Sequence, residues 1–139
     1  MATRQQARQA VVGLLYAYDL GNEDIVKYSD ELLEDNKIRN KQREFALKLF
    51  NGVMQNLENI DKQIVMQLKG WEFDKLGKVE RAILRLCAFE IIYDELDDAV
   101  IINEGVELSK ILGSDQTPKF VNGVLDALSK EAKSSNAPK

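Results

Sequence analysis

The chain has 139 residues, of which 45% are hydrophobic and 30% are charged, and these values predict one ordinary globular domain with a real core. One cysteine, Cys87, excludes an internal disulfide bond, and the lack of histidine excludes the commonest general base, His-activated nucleophiles and the usual zinc sites. A net charge of −4 argues against indiscriminate nucleic-acid binding, although a small basic patch could still hold phosphate.

The sequence contains no membrane or export signal. No apolar run approaches the roughly 18 residues of a membrane span, and the opening MATRQQARQA lacks a hydrophobic signal core. We therefore expect a cytoplasmic protein that does not bind a membrane.

Charge is distributed unevenly along the chain. Residues 1–18 contain Arg4 and Arg8 and no acid, whereas the segment between Arg85 and Lys110 contains seven acids and no Lys or Arg. This pattern is typical of solvated helix faces. It would also suit a basic patch that binds an anion and an acidic surface that binds a basic partner.

Apolar residues recur at helical spacing throughout the first half of the chain. We predict helices over residues 4–18, 23–35 and 42–68. Apolar positions in the third and longest helix are alternately four and three residues apart, as in a helix packed lengthwise against others. These positions are Ala46, Phe50, Val53, Leu57, Ile60 and Ile64.

The most apolar part of the sequence follows a short break at residues 69–77. Residues 79–93 are apolar on most of a helix circumference, which predicts a central helix surrounded by neighbours. Cys87 on this helix is expected to be a small core residue. Glu90 lies on its apolar side, so we expect it to make a structural hydrogen bond.

Two further helices have clear start and stop signals. Asp97 or Asp98 is predicted to cap the first, and Gly113 is predicted to end it. Pro118 favours the first turn of the second, with Thr117 capping the free N–H groups.

These elements predict an all-α protein of six to seven helices. The last helix is expected to end near residue 130, so we predict a single domain over residues 1–130 and a mobile tail over 131–139. No strand pattern, repeat or linker is present.

A first candidate binding strip lies on the first predicted helix. Gln5, Arg8, Val12 and Tyr16 are aligned on a strip that turns away from the predicted core face. Tyr16 could stack on a base while Arg8 meets phosphate or stacks too. Alternatively, Tyr16 packs on a neighbouring helix.

A second candidate lies on the first turn of the last helix. Lys119 adds a positive charge and Phe120 a flat ring beside N–H groups that suit phosphate. Together they suit single-stranded nucleic acid. Alternatively, Phe120 closes the edge of the bundle.

The remaining polar clusters have structural interpretations. Glu80, Arg81 and Arg85 are expected to form surface ion pairs, and Glu104 and Glu107 to be exposed or to cap a helix. No phosphate loop, metal-ligand set or catalytic group is evident, so we predict no cofactor, metal or catalytic residue.

Four segments together resemble the NusB family of bacterial transcription antitermination factors. They are ARQAVVGLLYAYDL (7–20), VERAILRLCAFEI (79–91), VIINEGVELSK (100–110) and KFVNGVLD (119–126). They occur in the family's order, and the resemblance spans nearly the whole chain. It implies two small helical bundles packed across one another and a non-enzymatic role.

The resemblance also implies partners. Such proteins pair with the small-subunit ribosomal protein NusE, and the pair binds boxA RNA and acts on the RNA polymerase elongation complex, mainly at ribosomal RNA operons. The family's RNA-facing positions correspond to Arg4, Gln5, Arg8, Tyr16, Lys119 and Phe120. Glu80 matches the position that meets NusE. We expect Tyr16 and Phe120 to border one patch open to water.

Two features depart from the family's pattern. Gln5 and Gln6 interrupt what is often a basic run, so the protein alone is expected to bind RNA weakly. In the loop before the VIINEGVELSK helix, Asp97 and Asp98 stand where the family usually has a proline.

Other functions remain open from the sequence. A protein-only interaction module, or a self-associating helical adaptor with little RNA binding, would fit the thinned basic run, and a homodimer could form without the partner. A similar helical domain also precedes some RNA methyltransferases, but no nucleotide-binding βαβ pattern is present.

Overall fold

Seven α-helices form most of the part of the chain that the computed structural model describes, residues 2–135, with side chains described through 132. A short 3-10 turn, Phe73–Lys75, precedes the fifth helix. The helices are α1 (Arg4–Asp19), α2 (Ile25–Asp35), α3 (Asn40–Gln55), α4 (Leu57–Val65), α5 (Lys78–Tyr93), α6 (Asp98–Leu112) and α7 (Thr117–Ser135). No strand occurs in these residues, and the predicted all-α fold of six to seven helices is confirmed.

The helices form two small bundles that share α5. Helices α1, α2 and α3 pack together, and α4, α6 and α7 pack around α5, which also contacts α1 and α3. Residues 81–91 of α5 are all buried, including fully buried Cys87. The predicted central helix is therefore confirmed. No helix in the described range is long and apolar enough to cross a bilayer.

Local polar groups define several helix ends. Thr3 Oγ1 accepts a hydrogen bond from the Gln6 N–H at 3.0 Å, and Gln6 Oε1 accepts one from the Thr3 N–H at 2.9 Å, which forms a capping box for α1. Asp97 Oδ1 accepts from the Ala99 N–H at 3.0 Å, so the predicted cap of α6 is confirmed. The capping box of α1 was not among the sequence predictions, although it too involves residues only three positions apart.

Gly113 ends α6 as predicted, but for a different physical reason. Its φ of −101° is not left-handed, so the backbone does not require glycine. A Cβ at this position would lie 2.6 Å from atoms of the Thr117 side chain. Glycine therefore allows the connection between α6 and α7 to close tightly.

The prediction of one helix over residues 42–68 is wrong. The helix breaks at Asn56, whose φ is −121° and whose side-chain Nδ2 donates to the Gly52 carbonyl at 2.8 Å. An asparagine side chain competes in this way with the helical backbone. Phe50 and Ile60 on either side of the break are fully buried, so the apolar periodicity was right although the helix is not continuous.

Helix α7 continues to Ser135, beyond its predicted end near residue 130. The first part of the predicted tail, residues 131–135, is therefore helical. Residues 136–139 of that tail lie outside the described residues.

Candidate nucleic-acid and partner interface

The N-terminal turns of α1 lie against an aromatic ring of α3. The Cζ atoms of Arg4 and Arg8 are 4.5 and 5.1 Å from the centroid of the Phe45 ring. Such cation–π contacts contribute about 0.5–1 kcal/mol at exposed sites and more where water is excluded. Arg4 is exposed, so it keeps access to an anion while Phe45 holds its position.

The expectation that Arg8 turns away from the core is wrong. Only 3% of Arg8 is exposed, and its Nε and Nη2 donate to the two carboxylate oxygens of Glu90 at 2.9 and 2.8 Å. Burial alone would lower the pKa of Arg8, but the hydrogen bond and charge of Glu90 outweigh it and raise the pKa. Val12 is buried on the same strip, because this side of α1 packs on other helices.

The same ion pair confirms the hydrogen bond expected for Glu90. This carboxylate is fully buried on α5, and Arg8 occupies both of its oxygens. A phosphate could therefore reach the Arg8 guanidinium only at the expense of a buried bidentate pair.

Gln5 and Tyr16 are the members of the α1 strip that remain accessible. Tyr16 is 37% exposed, and Gln5 is partly exposed. The Tyr16 hydroxyl has no hydrogen-bond partner among the described residues. Tyr16 is thus partly accessible to solvent, and its stacking on a base stays a prediction.

Lys119 and Phe120 begin α7 and present a charge and a ring. Lys119 is exposed and makes no ion pair within residues 2–132, whereas Phe120 is partly buried. The Phe120 ring packs edge-on to Trp71, with centroids 5.6 Å apart. Trp71 is 61% exposed, so the two rings together present a partly exposed aromatic surface.

Sequence analysis missed Trp71 as a site residue. It lies in the break before α5, outside any helical periodicity, so no apolar face assigned it to the core. An exposed aromatic residue in a loop is itself a signal for binding.

Tyr16 and Phe120 make no ring contact with each other in the described part of the chain. Phe120 instead contacts Trp71, which belongs to the segment between α4 and α5. That Tyr16 and Phe120 border one patch stays a prediction.

Glu80 links the starts of α5 and α7. Its Oε2 accepts a hydrogen bond from Thr117 Oγ1 at 2.6 Å, and Thr117 Oγ1 in turn accepts from the Ser114 N–H at 3.0 Å. The prediction that Thr117 caps the free N–H groups of α7 is therefore wrong, because its hydroxyl serves Glu80 and the preceding turn. Glu80 remains partly exposed, so a partner could still reach it.

The predicted surface ion pairs of Arg81 and Arg85 are buried ones. Arg81 Nη2 lies 2.6 Å from Asp19 Oδ2, and Arg85 Nη2 lies 2.8 Å from Asp61 Oδ2. Arg81 and Arg85 are 7% and 6% exposed. Burial would lower the pKa of Arg85, but its bonds to Asp61 and Asp19 raise it. These pairs join the end of α1 and helix α4 to α5.

The two acids of the VIINEGVELSK segment, Glu104 and Glu107, lie on α6. Glu107 pairs with Lys110 at 3.4 Å, whereas the Oε2 atom of Glu104 is buried without a partner. Within the described residues, no group of three or more His, Cys, Asp or Glu side chains could hold a metal ion.

Known proteins match this chain over nearly its whole length. The NusB family description matches residues 5–130. Transcription antitermination protein NusB of Nitratiruptor sp. is 59% identical over 133 residues, which cover 96% of each chain. Its counterpart from Sulfurimonas denitrificans is 60% identical over 94% of this chain and 99% of its own. This chain belongs to the NusB family.

Solved NusB structures share its fold. T. maritima NusB is 30% identical with a TM-score of 0.82, covering 94% of this chain and 92% of that one. A structure of antitermination factors NusB and NusE in complex with dsRNA matches with 35% identity and a TM-score of 0.84, covering 92% of this chain and 96% of that one. The two-bundle NusB fold predicted from the resemblance is therefore confirmed.

Proposed function

We propose that this NusB-family chain is a transcription antitermination factor that binds boxA-type single-stranded RNA as a heterodimer with ribosomal protein NusE. The pair would act on the RNA polymerase elongation complex, mainly at ribosomal RNA operons, and therefore in the cytoplasm. The observation that carries the proposal is the start of α7, where exposed Lys119 directly precedes Phe120, whose ring packs on the exposed Trp71 ring. The relatives named as antitermination proteins and the related NusB–NusE–RNA structure support it.

Each side chain can be given a role from its surroundings. Arg4 and Lys119 are exposed cations that would meet phosphates. Tyr16 and Phe120 would stack on bases, a contact worth about 1–3 kcal/mol per base. Gln5 would hydrogen-bond to a base edge or sugar.

Arg8 receives a different role from the one that the resemblance implies. Because Glu90 occupies its guanidinium, Arg8 would position the start of α1 rather than bind phosphate directly. The ion pair fastens α1 to α5, and the contact with Phe45 fastens it to α3. Arg4 one turn earlier is thereby held in place.

The partner-facing surface would use acids that remain accessible to solvent. Within the acidic segment between Arg85 and Lys110, Glu90 and Asp98 already accept hydrogen bonds from Arg8 and Ser129. Glu95 and Asp97 remain exposed, and Glu80 is accessible at the start of α5. A basic ribosomal protein would add positive charge that this acidic chain lacks.

The mechanism requires binding alone. We therefore propose no catalytic activity and no cofactor. A homodimer in the absence of NusE is compatible with this function, since the same acidic surface would then be open.

A titration of boxA RNA with this protein, with NusE and with an equimolar mixture tests the proposal. Anisotropy of labelled RNA should show tight binding only for the mixture. A mixture that binds no better than either component would contradict the heterodimer.

The second candidate, a protein-only interaction module, is favoured by one observation: the burial of Arg8 leaves the start of α1 with a single exposed cation, Arg4. It predicts a complex with NusE on a sizing column and no salt-dependent RNA affinity. The same titration therefore separates the two functions.

A further inference from the structure

A groove of about 1410 Å³ lies in the N-terminal bundle, away from the start of α7. Its walls are α1, the α2 side chains Ile25 and Leu32, and the segment that joins α2 to α3. None of the RNA-facing positions implied by the resemblance lines it. Its chemistry is therefore independent of the site described above.

The polar lining consists of amides and cations. Five amide side chains line the groove: Gln6, Gln9, Asn36, Asn40 and Gln42. Three cations follow one another at alternate positions: Lys37 and Arg39 in the joining segment and Lys41 in the first turn of α3. No carboxylate is among the described residues that line the groove, although the chain as a whole has a net charge of −4.

Two of the three cations are unpaired. Lys37 and Lys41 are exposed and make no ion pair within the described part of the chain. Arg39 is 56% exposed but already bonded to Glu34 at 2.5 Å. The segment that carries them is anchored, because Ile38 is buried and its N–H donates to the Leu33 carbonyl at 2.8 Å.

The floor of the groove is apolar and is built from small residues of α1. Ala10, Gly13 and Ala17 lie along one side of the helix. A Cβ on Gly13 would meet nothing within 4 Å, and its φ is not positive, so the chain's own packing does not require glycine there. Since glycine within a helix costs roughly 0.5–1 kcal/mol relative to alanine, it suits close approach by another molecule.

One polar atom of the lining residues lacks a hydrogen-bond partner. Gln42 Oε1 is buried and has no hydrogen-bond partner among the described residues. A buried acceptor without a hydrogen bond lowers the stability of the free protein, and a ligand that donates to it removes that cost. The side chain lines the groove, so a ligand there could supply that donor if the Gln42 amide turned toward it.

We propose that this groove binds a further segment of single-stranded RNA, an inference that rests on the proposed function and extends it. Lys37 and Lys41 hold phosphates, and the amides bond to base edges, for which they can both donate and accept. The apolar floor receives base faces. The amides of Gln6 and Asn36 already bond within the chain, to the Thr3 N–H and the Leu32 carbonyl. An acidic peptide helix would use the cations and the floor but would leave the amides of Gln9, Asn40 and Gln42 unused.

The groove also adjoins the proposed α1 contacts. Tyr16 follows Gly13 by three residues, which are neighbouring positions on a helix surface. A strand stacked on Tyr16 can therefore continue across Gly13 toward Lys37. The two lysines thus compensate for Gln5 and Gln6 at the start of α1.

Paired charge removal in the complex with NusE tests the inference. The test variant is Lys37→Gln with Lys41→Gln, and the control is Lys27→Gln with Lys62→Gln, two exposed lysines outside the groove. Affinity for boxA RNA with flanking single-stranded nucleotides is measured from about 50 to about 200 mM salt. Losing two single-strand phosphate contacts should make the slope of log affinity against log salt shallower by about 1.4.

That slope change corresponds to a roughly sevenfold smaller loss of affinity across the salt range for the test variant, whereas the control should match the unmodified complex. Gly13→Ala should raise the melting temperature and still weaken RNA binding, which a purely structural glycine would not do. If the unmodified complex binds RNA and the test variant has the same salt dependence as the control variant, the proposal that the groove binds RNA is wrong. The proposed function would still hold.

Two other outcomes also decide the question. No RNA binding by the unmodified complex would overturn the proposed function itself. Loss of NusE from the test variant on a sizing column without RNA would show that the groove docks protein and would overturn the RNA assignment.

Discussion

The carboxylate of Glu80 accepts a 2.6 Å hydrogen bond from the hydroxyl of Thr117, which joins the start of α5 to the start of α7. Thr117 is buried, whereas Glu80 is partly exposed. Lys119 and Phe120 follow Thr117 by two and three residues. A partner that engages Glu80 would therefore act directly on the helical turn proposed to bind RNA.

Thr117→Val should weaken both stability and this coupling. The valine keeps the side-chain shape but loses a hydrogen bond to a charged acceptor, which is worth about 1.5–3 kcal/mol. We expect a lower free energy of unfolding in urea and a smaller gain in RNA affinity when NusE is added. Ser114→Ala is the matched control, because the Ser114 hydroxyl contacts Thr117 but not Glu80. A variant with an unchanged NusE-dependent gain would contradict coupling through this bond.

Glu90→Gln should be among the most damaging single substitutions. It leaves the Arg8 guanidinium buried without its counter-charge, and breaking a buried pair in this way costs about 3–5 kcal/mol. Urea unfolding monitored by circular dichroism measures the loss. A cost below about 1 kcal/mol would show that water reaches Arg8.

The double variant Arg8→Met with Glu90→Leu tests whether Arg8 only positions α1 or also binds RNA directly. Replacing both partners by apolar residues should recover most of the stability, because no charge is then left buried. If Arg8 only positions α1, the NusE complex of this variant keeps most of its RNA affinity. A large loss of RNA affinity in a stable double variant would restore Arg8 as a direct contact.

The helices were predictable because their signals are local. Thr3 and Gln6 cap α1 from three residues apart, and Asp97 caps α6 from two. The apolar repeat of α5 likewise reports its burial without knowledge of any other helix. The break at Asn56 was missed because the apolar repeat runs through it, and the interruption shows only in the non-helical φ of −121° at that residue.

The site was less predictable because its contacts are distant in sequence. Arg8 and Glu90 are 82 residues apart, and Thr117 and Glu80 are 37 apart. The helical spacing of α1 placed Arg8 outside the predicted core face. Spacing within one helix could not show that α5 covers the side of α1 that carries Arg8. Residue type identified Lys119 and Phe120, whereas Trp71 became a candidate only when the fold placed it against Phe120.

Cys87 should make the stability of the protein fall at alkaline pH. Burial raises the pKa of its thiol above the ordinary value, and the nearby charge of Glu90 adds to the effect. The unfolded thiol ionises near pH 8.5, while the folded thiol stays neutral, so ionisation favours the unfolded state. This contribution to stability is complete below that pH and is lost as the pH rises above it.

The measurement is the difference between unmodified protein and Cys87→Ala in urea unfolding at about pH 7 and about pH 10. The alanine variant should lose less stability over this interval, because the two proteins differ only at Cys87. Alkylation of Cys87 should likewise occur only as fast as the protein unfolds. Rapid alkylation of the native protein would contradict the buried thiol.

Phe120→Ala should lose about 1–3 kcal/mol of RNA affinity in the complex with NusE if a base stacks on the ring. Tyr28→Ala is the control, because Tyr28 is a 50% exposed aromatic residue on α2.

Trp71→Ala tests whether Phe120 closes the bundle or binds RNA, since it removes the edge-on neighbour and leaves the Phe120 ring. If Phe120 mainly closes the bundle, both variants lower the melting temperature and leave RNA affinity unchanged. If the rings form a binding surface, both variants weaken RNA binding more than they lower stability.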